Sequence, residues 1–182
     1  MNKYLIFLRS INIASQNLIK MKELKEELSK VKSIKKIETY IQTGNLIIES
    51  LESKIVIKND VINILSEKFS VKDPKLAIYN IEEYKDIISS NPFDLSIPKS
   101  VFVFFPTGES LDQCEYEKEK SGMTEKSKWE LINGIIYYFG KQCGPSSELT
   151  SGFKSLNKKI KNLPHTARNF NTVRKILELA NK

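Results

Sequence analysis

The spacing of apolar residues along the first 80 positions predicts a mixed α/β fold. Residues 3–8 are apolar at both alternate sets of positions, which is typical of a central strand covered on both faces. Thr43-Gly44 predicts a tight hairpin in which glycine supplies the positive φ. The pattern as a whole predicts a strand over residues 3–8, a helix over 18–31, two hairpin strands over 36–42 and 45–49, a helix over 55–69 and a strand over 76–79.

A similar order follows in the second half of the chain. Residues 80–83 (NIEE) carry a helix-capping signature, and Asn133-Gly134 is a strong hairpin signal. The pattern predicts a strand over residues 101–105, a polar helix or long loop over 110–120 and two hairpin strands over 129–132 and 135–139. It then predicts a helix over 152–161, a short strand over 165–167 and a closing helix over 171–180.

The order β-α-β-β-α-β is that of the ferredoxin-like fold, or alpha-beta plait. We therefore predict an α+β protein with two ferredoxin-like subdomains, each an antiparallel sheet with helices on one face, and an extra C-terminal helix. The first subdomain is expected over residues 1–80, a connecting helix and linker over 81–98, and the second subdomain with the C-terminal helix over 99–182.

Composition narrows the class of protein without naming a function. Forty per cent hydrophobic and 28% charged residues are ordinary for a soluble globular protein. No apolar run approaches the length of a membrane span, and residues 4–8 lead into Arg9 with no signal-peptide pattern. Cys114 and Cys143 form neither a disulfide framework nor a metal pattern, so a reducing cytoplasm is expected.

The net charge of +7 is concentrated near the C terminus. A basic stretch of this density could contact the phosphates of a nucleic acid, or could be the solvated face of a lysine-rich protein, and both interpretations stay open. The candidate nucleic-acid contacts are Lys154, Lys158, Lys159, Lys161, Arg174 and Lys175.

Polar residues converge at one end of the first predicted sheet. In a ferredoxin-like sheet the end of strand one lies beside the start of strand three. Arginine suits carboxylate or phosphate, and only three of the 29 basic residues are arginine. The candidate ligand-binding residues here are Arg9, Asn12, Gln42, Thr43 and Asn45, and Ser10 lies in the same cluster. A structural role, in which these residues fix turns and strand ends, is the alternative.

A second polar cluster, Arg168 and Asn169, precedes the closing helix, and both residues are further ligand-binding candidates. Asn169 or Asn171 is also a natural N-cap. No catalytic residue is evident, because the single histidine, His165, and a Ser10 or Cys114 nucleophile lack partners at a useful spacing. The spacing of His, Cys and carboxylates predicts no metal site, and we expect no cofactor.

Three segments resemble a known family. Residues 7–13 (FLRSINI), 39–46 (TYIQTGNL) and 166–173 (TARNFNTV) are similar to the signature segments of the bacterial family called domain of unknown function 1697. The resemblance implies two ferredoxin-like subdomains and no particular activity. Ser10 stands where the family usually has glycine, and Ala14-Ser15 replaces a glycine pair, which weakens a phosphate cradle built on close backbone approach.

Three hypotheses about function follow. The favoured one is a non-catalytic binding module for an anionic ligand, either a phosphorylated small molecule or a nucleic acid. The second is an enzyme acting on a small carboxylate or phosphate substrate, with Arg9 as a clamp. The third is a purely structural polar cluster. The sequence indicates no oligomeric state.

Overall fold

The computed structural model describes residues 1–12, 18–109, 113, 127–140 and 163–182. Within these residues the strands are β1 Asn2–Leu8, β2 Ile34–Tyr40, β3 Asn45–Ser50, β4 Leu76–Asn80, β5 Val101–Pro106, β6 Ser127–Ile132, β7 Ile135–Gly140 and β8 His165–Asn169. The helices are α1 Met21–Ser29, α2 Lys54–Phe69, α3 Ile81–Ser89 and α4 Phe170–Ala180.

The chain forms two compact units. The first comprises Met1–Asp86 together with Lys175–Lys182, and the second comprises Ile87–Arg174. The C-terminal residues group with the first unit, in which the Lys3 ammonium donates a hydrogen bond to the carbonyl of Ala180.

The first unit contains a four-stranded antiparallel sheet in the order β2-β3-β1-β4. β1 is central, pairing with β3 on one side and β4 on the other. Along the sequence, helix α1 lies between β1 and β2 and helix α2 between β3 and β4, as in a ferredoxin-like unit. The predicted fold is therefore confirmed for this half of the chain.

Both faces of β1 are buried, as its apolar sequence predicts. Tyr4, Ile6 and Leu8 belong to the core that the sheet forms with helices α1 and α2. On the other face Leu5 and Phe7 are fully buried, and the Phe7 ring stacks on Tyr84 of α3 with 5.6 Å between ring centroids. Burial of this apolar surface is the main force that holds the end of β1 in place.

The second unit repeats the topology with the strand order β6-β7-β5-β8. The predicted hairpin is present, with Asn133 and Gly134 both at positive φ. Phe104, Trp129 and Tyr138 form part of its core. The buried Tyr137 hydroxyl donates to the carbonyl of Ile87 over 2.7 Å, and burial raises the pKa of this phenol.

The capping signature at residues 80–83 begins helix α3. The Asn80 side-chain oxygen accepts from the Glu83 N–H, and the Glu83 carboxylate accepts from the Asn80 N–H, each over 2.9 Å. Glu83 also accepts two hydrogen bonds from the Lys54 ammonium at 2.5 Å. Burial opposes ionisation of Glu83, but the hydrogen bonds from Lys54 and Asn80 and the Lys54 charge outweigh it, so the pKa of this carboxyl lies below its ordinary value.

Most element boundaries differ from the prediction by one to three residues, and two of these differences have a local cause. Helix α1 begins at Met21 rather than at residue 18, because Lys20, the residue before it, has an extended backbone with φ −71° and ψ 120°. Strand β2 ends at Tyr40 rather than at residue 42, because Ile41 turns into the left-handed region with φ +51°.

The helix predicted over 152–161 and all but Gln113 of the segment predicted over 110–120 lie outside the described residues. Among the helices that the structure does describe, none combines the length and the apolar character needed to cross a bilayer.

Candidate functional site

The end of β1 lies between the starts of two neighbouring strands. Phe7 pairs with Asn45, and the Leu8 N–H donates to the carbonyl of Gly44 over 2.8 Å. On the other side the Arg9 N–H donates to the carbonyl of Lys75 over 2.9 Å. We call this end of the sheet the Arg9 edge, formed by Arg9, Ser10, Asn12, Gln42, Thr43, Asn45 and Lys75.

Asn12 bridges two loops of the Arg9 edge by hydrogen bonds. Its amide nitrogen donates to the carbonyls of Ile19 at 2.9 Å and Gln42 at 2.7 Å. Its amide oxygen accepts from the Ile19 N–H at 2.7 Å. Because both ends of this amide are occupied by backbone groups, Asn12 positions the edge and has little capacity left for a ligand.

Asn45 and Gly44 shape the β2–β3 turn. Asn45 is only 1% exposed, and its amide donates to the Tyr40 carbonyl at 2.9 Å and the Thr43 hydroxyl at 3.0 Å. Gly44 has φ +74°, and a Cβ at this position would lie 2.7 Å from the Cβ of Leu8. Only glycine therefore allows the turn to approach β1 this closely.

Arg9 differs from these amides, because its side chain is exposed while its backbone is fixed by the bond to Lys75. Within the described part of the chain its guanidinium makes no hydrogen bond or ion pair. Gln42 and Thr43 are exposed on the neighbouring turn. The arrangement offers one exposed guanidinium with five N–H donors on an anchored backbone.

Lys75 is the member of this edge that sequence reasoning missed. It precedes β4, which is antiparallel to β1, so the start of β4 must lie beside the end of β1. The same rule that predicted the contact with β3 could have found it. The Lys75 ammonium pairs with Asp73 at 3.0 Å, and its side chain remains 38% exposed.

The second polar cluster belongs to β8, in the second unit. Arg168 is 8% exposed and donates to the Thr166 hydroxyl at 2.7 Å and the Ala167 carbonyl at 2.8 Å. Asn169 accepts from the Asn171 N–H at 3.0 Å, which caps α4, and donates to the Lys99 carbonyl at 3.1 Å. Both side chains thus have bonds that serve the fold.

The candidate nucleic-acid contacts are only partly described. Arg174 and Lys175 are exposed on α4. Lys175 pairs with Glu178 at 2.8 Å, and the hydrogen bond and charge of that carboxylate raise the pKa of Lys175. The other candidates, Lys154, Lys158, Lys159 and Lys161, lie outside the described residues.

An open groove of about 650 Å³ lies at the opposite end of β1, between the starts of α2 and α3. Both of its lysines already have partners, since Lys54 is paired with Glu83 and Lys3 with Glu49 at 3.2 Å. A search of the described residues for three or more clustered His, Cys, Asp or Glu side chains finds no candidate metal site.

Comparison with solved structures shows the same fold in another protein. The conserved bacterial protein SP0830 from Streptococcus pneumoniae is 21% identical, with 100% of this chain and 99% of that chain covered and a TM-score of 0.77. A putative glycine cleavage system transcriptional repressor, 11% identical over 92% of this chain and 96% of its own, has a TM-score of 0.23, too low to indicate a shared fold.

No curated protein matches this sequence. A family model does match, over residues 1–137, which is most of the chain and includes the first two signature segments. The resemblance identified from the sequence is thereby confirmed, and the chain belongs to the family described as "Protein of unknown function (DUF1697)".

Proposed function

We propose that this protein is a non-catalytic binding module whose ligand is a small phosphorylated molecule held at the Arg9 edge. The observation that carries the proposal is that the polar residues there are of two kinds, those bonded within the fold and those exposed to water. Asn12 and Asn45 are occupied by turns and loops, while Arg9 stands exposed on an anchored backbone. A charged side chain on an anchored backbone loses less entropy on binding than one on a mobile loop.

The chemistry of the edge favours phosphate. A guanidinium presents two parallel N–H donors to a phosphate and keeps its charge at any physiological pH. Lys75 lies just before the adjacent strand β4 and adds a second cation, and Gln42 and Thr43 add neutral polar groups. Asp73 balances Lys75, so the edge retains the positive charge of Arg9.

Binding is favoured over catalysis because of what the edge contains. Its seven residues include no carboxylate, histidine or cysteine, the groups that most often serve as general acid, general base or nucleophile. The nearby carboxylate, Asp73, is ion-paired with Lys75. Arg9 and Lys75 are basic groups of the kind that holds an anion.

Thermal shift with inorganic phosphate tests the proposal, with sodium chloride at matched ionic strength as the reference. We expect phosphate to raise the melting temperature of the wild type, since a ligand that binds only the folded state stabilises it. Arg9→Ala should abolish the rise and Arg9→Lys should reduce it. Lys25→Ala, which removes an equal charge from an exposed site on α1, should leave it intact.

Two other outcomes would contradict the proposal. A phosphate effect that is equal in Arg9→Ala and in the wild type would place the ligand elsewhere. A drop of more than about 1 kcal/mol in the unfolding free energy of Arg9→Ala without phosphate would assign Arg9 to the fold, since an exposed substitution ordinarily changes it by about 0.5 kcal/mol or less.

A further inference from the structure

Ile41, the first residue of the β2–β3 turn, is unfavourably placed in two ways. Its φ of +51° lies in the left-handed region, which is strongly disfavoured for a β-branched side chain. Its side chain is also 47% exposed. The other non-glycine residues with positive φ in the described part of the chain are all unbranched at Cβ: Ser10, Asn12, Ser70, Asp73, Lys99 and Asn133.

Neither feature of Ile41 is explained by the stability of the fold. Asparagine or glycine would suit this backbone better and would expose no apolar surface. The neighbouring Gly44 already provides the close approach to β1 that the turn requires. Backbone strain of this kind persists where surrounding structure enforces it, and it is concentrated at ligand sites.

Ile41 lies within reach of a ligand bound by Arg9. It follows Tyr40, which pairs with Asn45, and Asn45 pairs with Phe7. Ile41 and Arg9 thus end strands that are separated by β3 alone, a backbone distance of about 10 Å across the sheet.

A second exposed apolar residue adjoins the same turn. Leu18 is 74% exposed and precedes Ile19. The Asn12 amide nitrogen donates to the carbonyl of Ile19 and also to the carbonyl of Gln42, the residue after Ile41. The backbone on both sides of Asn12 therefore carries an exposed apolar side chain. Apolar surface and a fixed cation are both found at the Arg9 edge.

We propose that the ligand of the Arg9 edge is a phosphate monoester with a small apolar or aromatic organic group, and that Ile41 is the contact for that group. This inference rests on the proposed function and adds the class of ligand. The phosphate binds Arg9, and the organic group covers the exposed side chain of Ile41. A polar ester, such as a sugar or glycerol phosphate, would leave that apolar surface in contact with a hydrophilic group.

Calorimetric titration of the full chain with three probes tests the inference: inorganic phosphate, glycerol phosphate and phenyl phosphate. We expect phenyl phosphate to bind the wild type about tenfold more tightly than glycerol phosphate, as burial of several tens of Å² of apolar surface would give. Ile41→Asn should bring that ratio close to one and change the affinity for inorganic phosphate less than twofold. Ile41→Val, which keeps a branched apolar side chain, should retain most of the preference.

Equal binding of the two esters to the wild type would overturn this inference, and so would an unchanged ratio in Ile41→Asn. Either result leaves the proposed function standing if Arg9→Ala still abolishes the binding of inorganic phosphate. A different result would contradict the proposed function itself: none of the three probes binds in a way that depends on Arg9. We expect Ile41→Asn to melt at a higher temperature than the wild type, and a lower one would assign Ile41 to the fold and overturn the inference.

Discussion

At the scale of single residues, the Arg9 edge combines side chains that hold the backbone with side chains that face water. Asn12 makes three hydrogen bonds to the loops around it, and Asn45 makes two within its turn. Each hydrogen bond of this kind contributes about 1 kcal/mol to stability. Arg9 makes no such contribution within the described part of the chain, which is why a change at Arg9 can be read as a change in binding.

Ser10 shows that local backbone conformation at this edge is not optimised for stability. It has φ +56°, which is costly for a residue with a side chain. We expect Ser10→Gly to raise the free energy of unfolding by about 0.5–1 kcal/mol, measured by urea denaturation.

Ser66→Gly is the matched control for that change. Ser66 is exposed within the helical backbone of α2, so glycine there should destabilise by about 0.5–1 kcal/mol. Destabilisation by both substitutions would contradict the assignment of the left-handed conformation to Ser10.

At the scale of elements, helix α3 begins with a reciprocal cap that is linked to α2. The Asn80 and Glu83 side chains each satisfy a backbone N–H of the other, and the Lys54 ammonium binds the same carboxylate. Glu83 must be ionised to make the full set of contacts. Its hydrogen bonds and ion pair lower the pKa of its carboxyl in the folded state despite partial burial.

The lowered pKa of Glu83 predicts a loss of stability in acid. A folded-state pKa below the unfolded value, which is about 4.3 for glutamate, stabilises the protein above that pH, and the stabilisation disappears as the pH falls through the folded pKa. We expect the wild type to be more stable than Glu83→Gln at pH 7, by no more than about 1 kcal/mol because the side chain is 43% exposed. The difference, measured by urea denaturation, should shrink as the pH falls below about 4.3.

Glu82→Gln controls for the loss of a charge in the first turn of α3. Glu82 is 79% exposed and, among the residues that the structure describes, pairs only with Lys85 on the helix surface. Glutamine at residue 83 can still serve as the capping partner of Asn80, so the comparison isolates the charge. A difference between wild type and Glu83→Gln that persisted unchanged to pH 3 would contradict the role of ionisation.

At the scale of the whole molecule, apolar patterning and turn residues were enough to predict both sheets. The doubly apolar β1 and the Asn133-Gly134 hairpin specify their own local structure. The start of α1 was mispredicted because Lys20 has an extended backbone, which the spacing of apolar residues does not reveal. The strain at Ile41 and the grouping of Lys175–Lys182 with the first unit were not predictable, because tertiary contacts override local preference there.

Net charge acts on the molecule as a whole and gives a way to separate two kinds of anion. The chain carries +7, with most of the surplus in its last 32 residues, far along the sequence from Arg9. Charge of this kind attracts any polyanion loosely, whereas a fixed guanidinium selects by geometry. Nucleic acid and a small phosphate ester should therefore respond differently to salt and to the loss of Arg9.

We expect mixed-sequence single-stranded RNA to bind weakly, with log Kobs falling linearly as log salt rises, measured by fluorescence anisotropy between about 50 and 300 mM salt. Arg9→Ala should leave the slope almost unchanged, while Arg174→Gln with Lys175→Gln should reduce it by about 0.7 for each phosphate that is no longer neutralised. RNA binding that disappears in Arg9→Ala would make nucleic acid the ligand of the Arg9 edge. Absence of binding at the lowest salt concentration would mean that the basic C-terminal segment is a solvated surface.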